Sequence, residues 1–270
     1  MELWKDRIKQ GISLYTKNDL SVYAGNATLF IITSMFPLIM LIIAIVNLLP
    51  GYSSKDAAEI IFMLIPDLGP IKELVESAME NLNSQSGGLL ASVSAITTLW
   101  AASKGVGALQ KGFNQLHHDE QESGIIGIVK RLVFTILLVI QIPALLIFTM
   151  LGDSILESIC KAIGRPKSDF SFVLNITSLG VVIVALLVIV LLFAYLPAKK
   201  RTLRSQLPGG IFSGIALFVF TELFSFFIPK FYHASSLYGS LASLFLIMMW
   251  IRFIVMILFA GGVINKIMEK

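Results

Sequence analysis

The sequence predicts an all-α polytopic membrane protein with six transmembrane helices and both termini in the cytoplasm. Three observations support this prediction. Hydrophobic residues make up 56% of the 270 residues and charged residues only 14%, with a mean hydropathy of +0.83, whereas a soluble domain carries about 25% charged residues. Six apolar segments are long enough to cross a hydrocarbon core of about 30 Å. Finally, cations are concentrated in the segments that this arrangement places inside.

The loop between Pro197 and Pro208 sets the predicted orientation. It separates two long apolar runs and carries Lys199, Lys200, Arg201 and Arg204 without any acidic residue. Because cytoplasmic loops carry the excess of lysine and arginine in membrane proteins, this loop is placed inside. Most of the 21 lysines and arginines then also lie inside.

Residues 1–25 are predicted to form an amphipathic interfacial segment. Trp4, Ile8, Ile12 and Tyr15 recur at helical spacing, with basic residues between them. A basic amphipathic helix of this kind lies at the membrane surface with its cations near anionic headgroups. The alternative is an ordinary helix that packs on the cytoplasmic end of the bundle.

Residues 26–270 are predicted to form one membrane domain. Pro37 should kink the first span, because proline lacks a backbone donor. The segment between the first two spans, residues 50–87, is predicted to be an acidic external cap of short amphipathic helices. The predicted spans are about 27–49, 88–109, 132–151, 172–196, 208–228 and 239–264.

Polar and charged side chains within or beside the spans are the candidate functional residues. Hydroxyl and amide groups in the first two spans can line a cavity or simply pack helices together. Intramembrane charges cost roughly 2.5–3.5 kcal/mol each near a helix centre. They should therefore face a polar cavity, an anionic headgroup or each other, as in an Arg252–Glu222 pair, unless they snorkel to the interface. The candidate substrate-binding residues are Asn26, Thr33, Thr97, Ser103, Lys104, Arg131, Glu222 and Arg252.

Nothing in the sequence satisfies a catalytic template. It contains no Gly-x-Ser-x-Gly elbow, no phosphate-cradling glycine loop and no His-Glu-x-x-His motif. The pair His117 and His118 is predicted to lie in a solvated loop, because adjacent side chains on a helix diverge. Cys160 is the single cysteine, which excludes an intramolecular disulfide and a cysteine zinc cluster. We therefore expect no enzyme activity, no metal, no cofactor and no nucleic-acid partner.

Four stretches, in chain order, carry a resemblance to a known family. They run from Ala24 to Pro37, from Leu99 to Asn114, from Tyr195 to Gly209 and from Tyr238 to Asn265. Together they resemble the YihY/virulence factor BrkB family of bacterial inner-membrane proteins. The resemblance implies a six-helix fold and no established chemistry. Some members were once labelled ribonuclease BN, a label now regarded as mistaken, and members have been connected with envelope lipids and with virulence.

One position departs from the pattern of that family. Its last span usually ends with Gly-Ala-Glu-x-Asn, and Val263 occupies the acidic position in this chain. A role that depends on that carboxylate is therefore not carried over to this protein.

The sequence as a whole predicts a bacterial inner-membrane protein that moves or binds an amphipathic, anionic, lipid-like envelope molecule, so membrane lipids are its expected partners. One alternative is a small-solute channel or exporter, which requires a continuous water path. Another is a non-transporting scaffold for envelope assembly, which would rely on the external cap. A homo-oligomer or an envelope partner remains open at this point.

Overall fold

The computed structural model describes residues 2–47, 76, 87–121, 124–141, 171–234 and 240–269. Within these ranges the regular structure is entirely helical, which confirms the predicted all-α class. Most of the predicted external cap, the second half of the predicted third span and the loop after it lie outside the described residues. The helices are α1 (Glu2–Lys17), α2 (Leu20–Asn47), α3 (Gly87–His117), α4 (125–141), α5 (Ser171–Tyr195), α6 (Leu203–Ala234) and α7 (Ser240–Met268).

Among the described residues, two helices are long and apolar enough to cross a membrane. These segments are Leu203–Phe227 of α6 and Leu244–Met268 of α7. Helix α2 is a third if its two halves, Leu20–Met35 and Pro37–Ile43, form one bent span. The halves meet at an angle of 50°, so the predicted kink at Pro37 is confirmed.

Helix α3 continues beyond the predicted end of its span at residue 109 and ends at His117. The prediction of a solvated loop around His117 is therefore wrong. Asn114 is fully buried and Gln110 is almost so. The two amides lie one helical turn apart on one face of α3, where they bind the chain as it turns after α5.

An aromatic core joins α3, α5 and α7. The Phe113 ring of α3 meets the rings of Phe193 and Phe259 edge-on, with centroid distances of 5.4 and 5.0 Å. Glycines make room for these rings, since a Cβ on Gly262 would lie 2.8 Å from the Phe113 ring. The core therefore depends on small residues in α7 as well as on the rings.

Helix α1 packs against the end of α7. A Cβ on Gly11 would lie 3.4 Å from Ile267 and 3.7 Å from Val263. Val263 is buried, with 4% of its surface exposed. Val263 is therefore an apolar contact between α1 and α7. We call the end of the bundle that contains residues 196–202 the loop end.

Candidate functional site

One face of α2 is turned outward, away from the core. Val22, Asn26, Leu29 and Thr33 recur every three or four residues and are all exposed, while Ala24 and its neighbours on the other side are buried. At about 100° per residue, these four positions span an arc of about 60°. The two predicted site residues of α2, Asn26 and Thr33, therefore lie on the outer surface of the bundle.

Two cations from other helices approach this face from opposite sides. The Lys104 ammonium of α3 lies 5.6 Å from the ring centroid of Phe30. One guanidinium nitrogen of Arg252, on α7, lies 3.9 Å from where a Cβ of Gly25 would be. Phe30 and Gly25 are each about 70° from the middle of the outward face of α2. We call Asn26, Thr33, Lys104 and Arg252 the cationic face.

The Arg252 side chain extends towards the loop end. Tyr23, Gly112 and Phe259 meet at one level of the bundle. Along α7, the backbone of Arg252 lies seven residues before Phe259, which places it about 10 Å further from the loop end. Along α2, Gly25 lies two residues after Tyr23, which places it only about 3 Å further from the loop end. The guanidinium therefore lies nearer the loop end than its own backbone, as in a side chain that snorkels.

Lys104 extends the other way. Its ammonium lies 3.6 Å from the ring centroid of Trp100, one turn earlier in α3. Side chains in a helix lean towards its N-terminus, and here that direction leads away from the loop end. Its contact with Trp100 is a cation–π interaction, worth about 0.5–2 kcal/mol. The side chain of Lys104 is therefore directed away from the loop end.

The remaining basic candidate borders the same surface. The Cδ of Arg131, on α4, lies 2.9 Å from where a Cβ of Gly107 would be. Gly107 is about 60° from Lys104 around α3. Thr97 shares the exposed side of α3 with Lys104, and Ser103 is partly buried beside it. Arg131 and Thr97 therefore lie at the border of the cationic face.

The hydroxyl groups among the candidates already donate within their own helices. Thr33 Oγ1 donates to the Phe30 carbonyl at 3.0 Å, and Thr97 Oγ1 donates to the Val93 carbonyl at 2.8 Å. Ser103 does the same with the Trp100 carbonyl. A hydroxyl bonded in this way can face lipid at little cost and keeps its oxygen free only to accept. The cations and the Asn26 amide supply the donors of the site.

Glu222 lies apart from the other candidates. On α6, Phe220 faces α7, and its ring centroid is 5.3 Å from that of Phe253. Glu222 is two residues further, about 160° around the helix, and its side chain is exposed. The structure therefore does not bring Glu222 and Arg252 together, and no ion pair joins these two described residues.

Sequence reasoning missed a buried polar cluster at the loop end. Its first part fastens the chain that follows α5 to α3. The Asn114 Oδ1 accepts the Ala198 N–H at 2.8 Å, and Gln110 Nε2 donates to the Leu196 carbonyl at 3.0 Å. Lys130 Nζ, on α4, donates to the Pro197 carbonyl at 3.0 Å. The members of the polar cluster are Gln110, Asn114, His117, Asp119, Lys130, Arg201, Gln206, Asn265, Lys266 and Glu269.

Arg201 is the charged centre of the polar cluster. Its guanidinium donates to Asp119 Oδ2 at 2.8 Å, and its Nε lies 3.8 Å from Glu269 Oε1. The Asp119 side chain is 4% exposed and that of Arg201 is 12% exposed. Arg201, predicted only as an orientation signal, is therefore half of a buried ion pair.

A second group of amides joins α6 to α7. Asn265 is fully buried, accepts the Gly209 N–H through Oδ1 at 2.6 Å and donates through Nδ2 to Gln206 Oε1 at 2.9 Å. Gln206 Nε2 donates in turn to Glu269 Oε1 at 2.7 Å. Both hydrogen-bonding ends of the Asn265 amide are thus used to hold two helices together.

The family model for virulence factor BrkB matches residues 12–270 of this chain. The chain belongs to the BrkB family. The ribonuclease-like protein YfkH of Bacillus subtilis is 30% identical over 272 residues, which cover 97% of this chain and 95% of YfkH. UPF0761 membrane proteins of Aggregatibacter aphrophilus and Haemophilus influenzae are 21% and 18% identical, over 88% and 95% of this chain and 83% and 92% of their own lengths. No solved structure matches the chain.

Together with the apolar helices, these relatives make the protein a bacterial inner-membrane protein. In this BrkB-family chain, three of the four resembling stretches meet in the polar cluster. They contribute Asn114, the turn at Leu196 and Pro197, and the pair Gly209 and Asn265. The signal for the cluster was therefore present in the sequence, although its members are far apart along the chain.

His117 is an uncharged member of the polar cluster. Burial and, to a smaller extent, the positive charge of Arg201 together lower its pKa to about 3, although the negative charge of Asp119 partly opposes them. The Nδ1 of His117 lies 4.0 Å from Glu269 Oε2, too far for a hydrogen bond. Within the part of the chain that the structure describes, no group of three or more His, Cys, Asp or Glu residues could hold a metal ion.

Proposed function

We propose that this BrkB-family protein binds an anionic, amphipathic envelope lipid at the cationic face and moves it within or across the inner membrane. One observation carries the proposal: Lys104 and Arg252 come from different helices and reach the two sides of the exposed face of α2 that carries Asn26. A guanidinium can donate two parallel hydrogen bonds to a phosphate, and an ammonium adds a point charge.

The proposal includes the predicted topology of six spans with both termini inside. The loop end then lies in the cytoplasm, and α1 lies at the inner surface. The guanidinium of Arg252 would reach the headgroups of the inner leaflet, and the Lys104 ammonium would lie deeper. Exposed apolar side chains such as Val22, Leu29 and Val93 would meet the acyl chains. A site that opens sideways to the bilayer suits a lipid better than a small solute.

We also propose that the protein is not a ribonuclease, although its relative YfkH carries a ribonuclease-like name. The two acidic members of the polar cluster, Asp119 and Glu269, are both engaged by Arg201. A histidine with a pKa of about 3, such as His117, is a weak general base near neutral pH. These groups support a structural role for the polar cluster.

The test uses the full-length protein in nanodiscs of mixed phosphatidylglycerol and phosphatidylcholine. Photoactivatable analogues of each lipid would label the wild type, Arg252→Gln and Lys104→Gln. A hydrogen bond to a charged group contributes about 1.5–3 kcal/mol, so labelling by phosphatidylglycerol should fall about tenfold or more in Arg252→Gln. Labelling by phosphatidylcholine should not change.

Matched controls remove exposed cations outside the cationic face. Arg204→Gln and Lys200→Gln make the same changes at exposed positions of the loop end. They should lower phosphatidylglycerol labelling much less than the test variants do. An equal reduction would show general attraction to the anionic surface and would overturn the proposal, as would wild-type labelling in both test variants. Arg252→Lys, which keeps the charge, should retain part of the labelling.

A further inference from the structure

An outward stripe on α6 contains a single carboxyl group. Ile215, Phe218, Val219 and Phe226 of this stripe are exposed over 62%, 68%, 48% and 63% of their surfaces. Glu222 is exposed in their midst. At about 100° per residue, the five positions share an arc of about 100°, with Glu222 near its middle.

Neither helix packed against α6 presents a charge to Glu222. Helix α5 meets α6 at Gly210 and Gly214 and contains no charged residue. The cations of α7 point elsewhere: Arg252 lies beside Gly25, and Lys266 donates to the Leu116 carbonyl. Among the described residues, the Glu222 carboxyl has no cationic partner from these two helices.

Glu222 lies within the apolar segment of α6. It lies five residues before the end of the apolar segment Leu203–Phe227. Side chains lean towards the helix N-terminus, so the carboxyl leans towards Phe218 and the middle of the span rather than towards the nearer end. A glutamate is also shorter than an arginine and cannot snorkel as far. An ionised group in hydrocarbon is costly, so a neutral carboxylic acid suits this surface better.

We propose that Glu222 is a proton-binding site on the bilayer-facing side of α6. The carboxylate oxygen takes a proton from water and later returns it, so one O–H bond is formed and broken and no other reactant is needed. Binding and release of this proton would then accompany one step in the activity of the protein. The inference is independent of lipid binding at the cationic face, because the two sites share no residue.

The test is chemical labelling of the full-length protein in membranes. The lipid-soluble reagent dicyclohexylcarbodiimide reacts with a protonated carboxyl: the O–H adds across a C=N bond, and the adduct rearranges to a stable N-acylurea. Mass spectrometry should find the label on Glu222, and labelling should fall as the pH is raised. A water-soluble carbodiimide should instead label Glu120, which is exposed at the loop end.

Two variants complete the experiment. Glu222→Gln should lose the lipid-soluble label, and Glu120→Gln should keep it. The proposal is overturned if the water-soluble reagent labels Glu222 as well as Glu120, if neither reagent labels Glu222, or if labelling does not depend on pH. Photolabelling by phosphatidylglycerol should be unchanged in Glu222→Gln, so failure here and failure of the lipid-binding proposal can be told apart.

Discussion

The substitution Arg201→Gln should destabilise the loop end strongly, because it leaves a buried carboxylate without its partner. The Asp119 side chain is only 4% exposed and receives a hydrogen bond of 2.8 Å from the guanidinium. Lys199 is the other cation near Asp119, at 3.9 Å, and its side chain is 77% exposed. Lys199 can therefore replace little of what Arg201 supplies.

The expected magnitude follows from this burial. Breaking a buried ion pair by removing one partner costs about 3–5 kcal/mol. The Arg201 side chain is still 12% exposed, which places the expected loss near the lower end, at about 3 kcal/mol. A loss of this size reduces the ratio of folded to unfolded protein by roughly a hundredfold.

The assay is the free energy of unfolding of the detergent-solubilised protein, measured with a matched set of variants. Lys199→Gln makes a similar charge change at an exposed ion pair and should cost at most about 1 kcal/mol. The double variant Asp119→Asn with Arg201→Gln removes both charges and should recover most of the stability lost in Arg201→Gln. Equal losses in Arg201→Gln and Lys199→Gln, or no recovery in the double variant, would refute the reasoning.

Three further predictions concern single positions. In the unfolded state His117 has its ordinary pKa of 6.5, whereas in the folded state its pKa is about 3. The free energy of unfolding should therefore fall by about 1.4 kcal/mol when the pH is lowered from 7.5 to 5.5. His117→Gln should remove this contribution. Gly261→Ala should prevent folding, because its Cβ would collide with Ser213 Oγ and would lie 2.7 Å from the backbone carbonyl oxygen of Gly209. Gly25→Ala, with its nearest contact at 3.9 Å, should fold. Val263→Glu should destabilise the contact of α1 with α7 by several kcal/mol, because it buries a carboxylate, whereas Val263→Ile should not.

Each of these predictions can fail clearly in thermal unfolding and expression measurements. An identical pH dependence in the wild type and His117→Gln would show that folding does not lower the pKa of His117. Normal expression of Gly261→Ala would mean that α6 and α7 do not approach as closely as described. Wild-type stability of Val263→Glu would mean that this position reaches water.

The sequence predicted those structural features that depend on a single residue or on a local repeat of apolar residues. The apolar runs of α6 and α7 predicted membrane-crossing helices, and Pro37 predicted the bend of α2, because a missing backbone donor acts locally. Lys104 and Arg252 stood out for the same reason, because a charge within a predicted span is costly. What the sequence could not give was the direction of their side chains.

The polar cluster could not be predicted from local patterns. Asn114, Arg201 and Asn265 are separated by more than sixty positions, and their amides and charges find partners only after the helices pack. The basic loop was therefore understood as an orientation signal alone, although Arg201 within it is buried. The possible ion pair of Glu222 with Arg252 is not formed. The sequence indicated the depth of each residue in its predicted span, but it did not show which side of α6 Glu222 occupies.

The most direct test of lipid binding at the cationic face places a photoreactive amino acid at Asn26, between the two cations. The control places the same group at Val184, which is exposed on α5. In nanodiscs with equal amounts of phosphatidylglycerol and phosphatidylcholine, the adducts at residue 26 should be mainly phosphatidylglycerol, and this preference should vanish in Arg252→Gln. Adducts at residue 184 should reflect the bulk mixture. An equal mixture at both positions would contradict the proposed site.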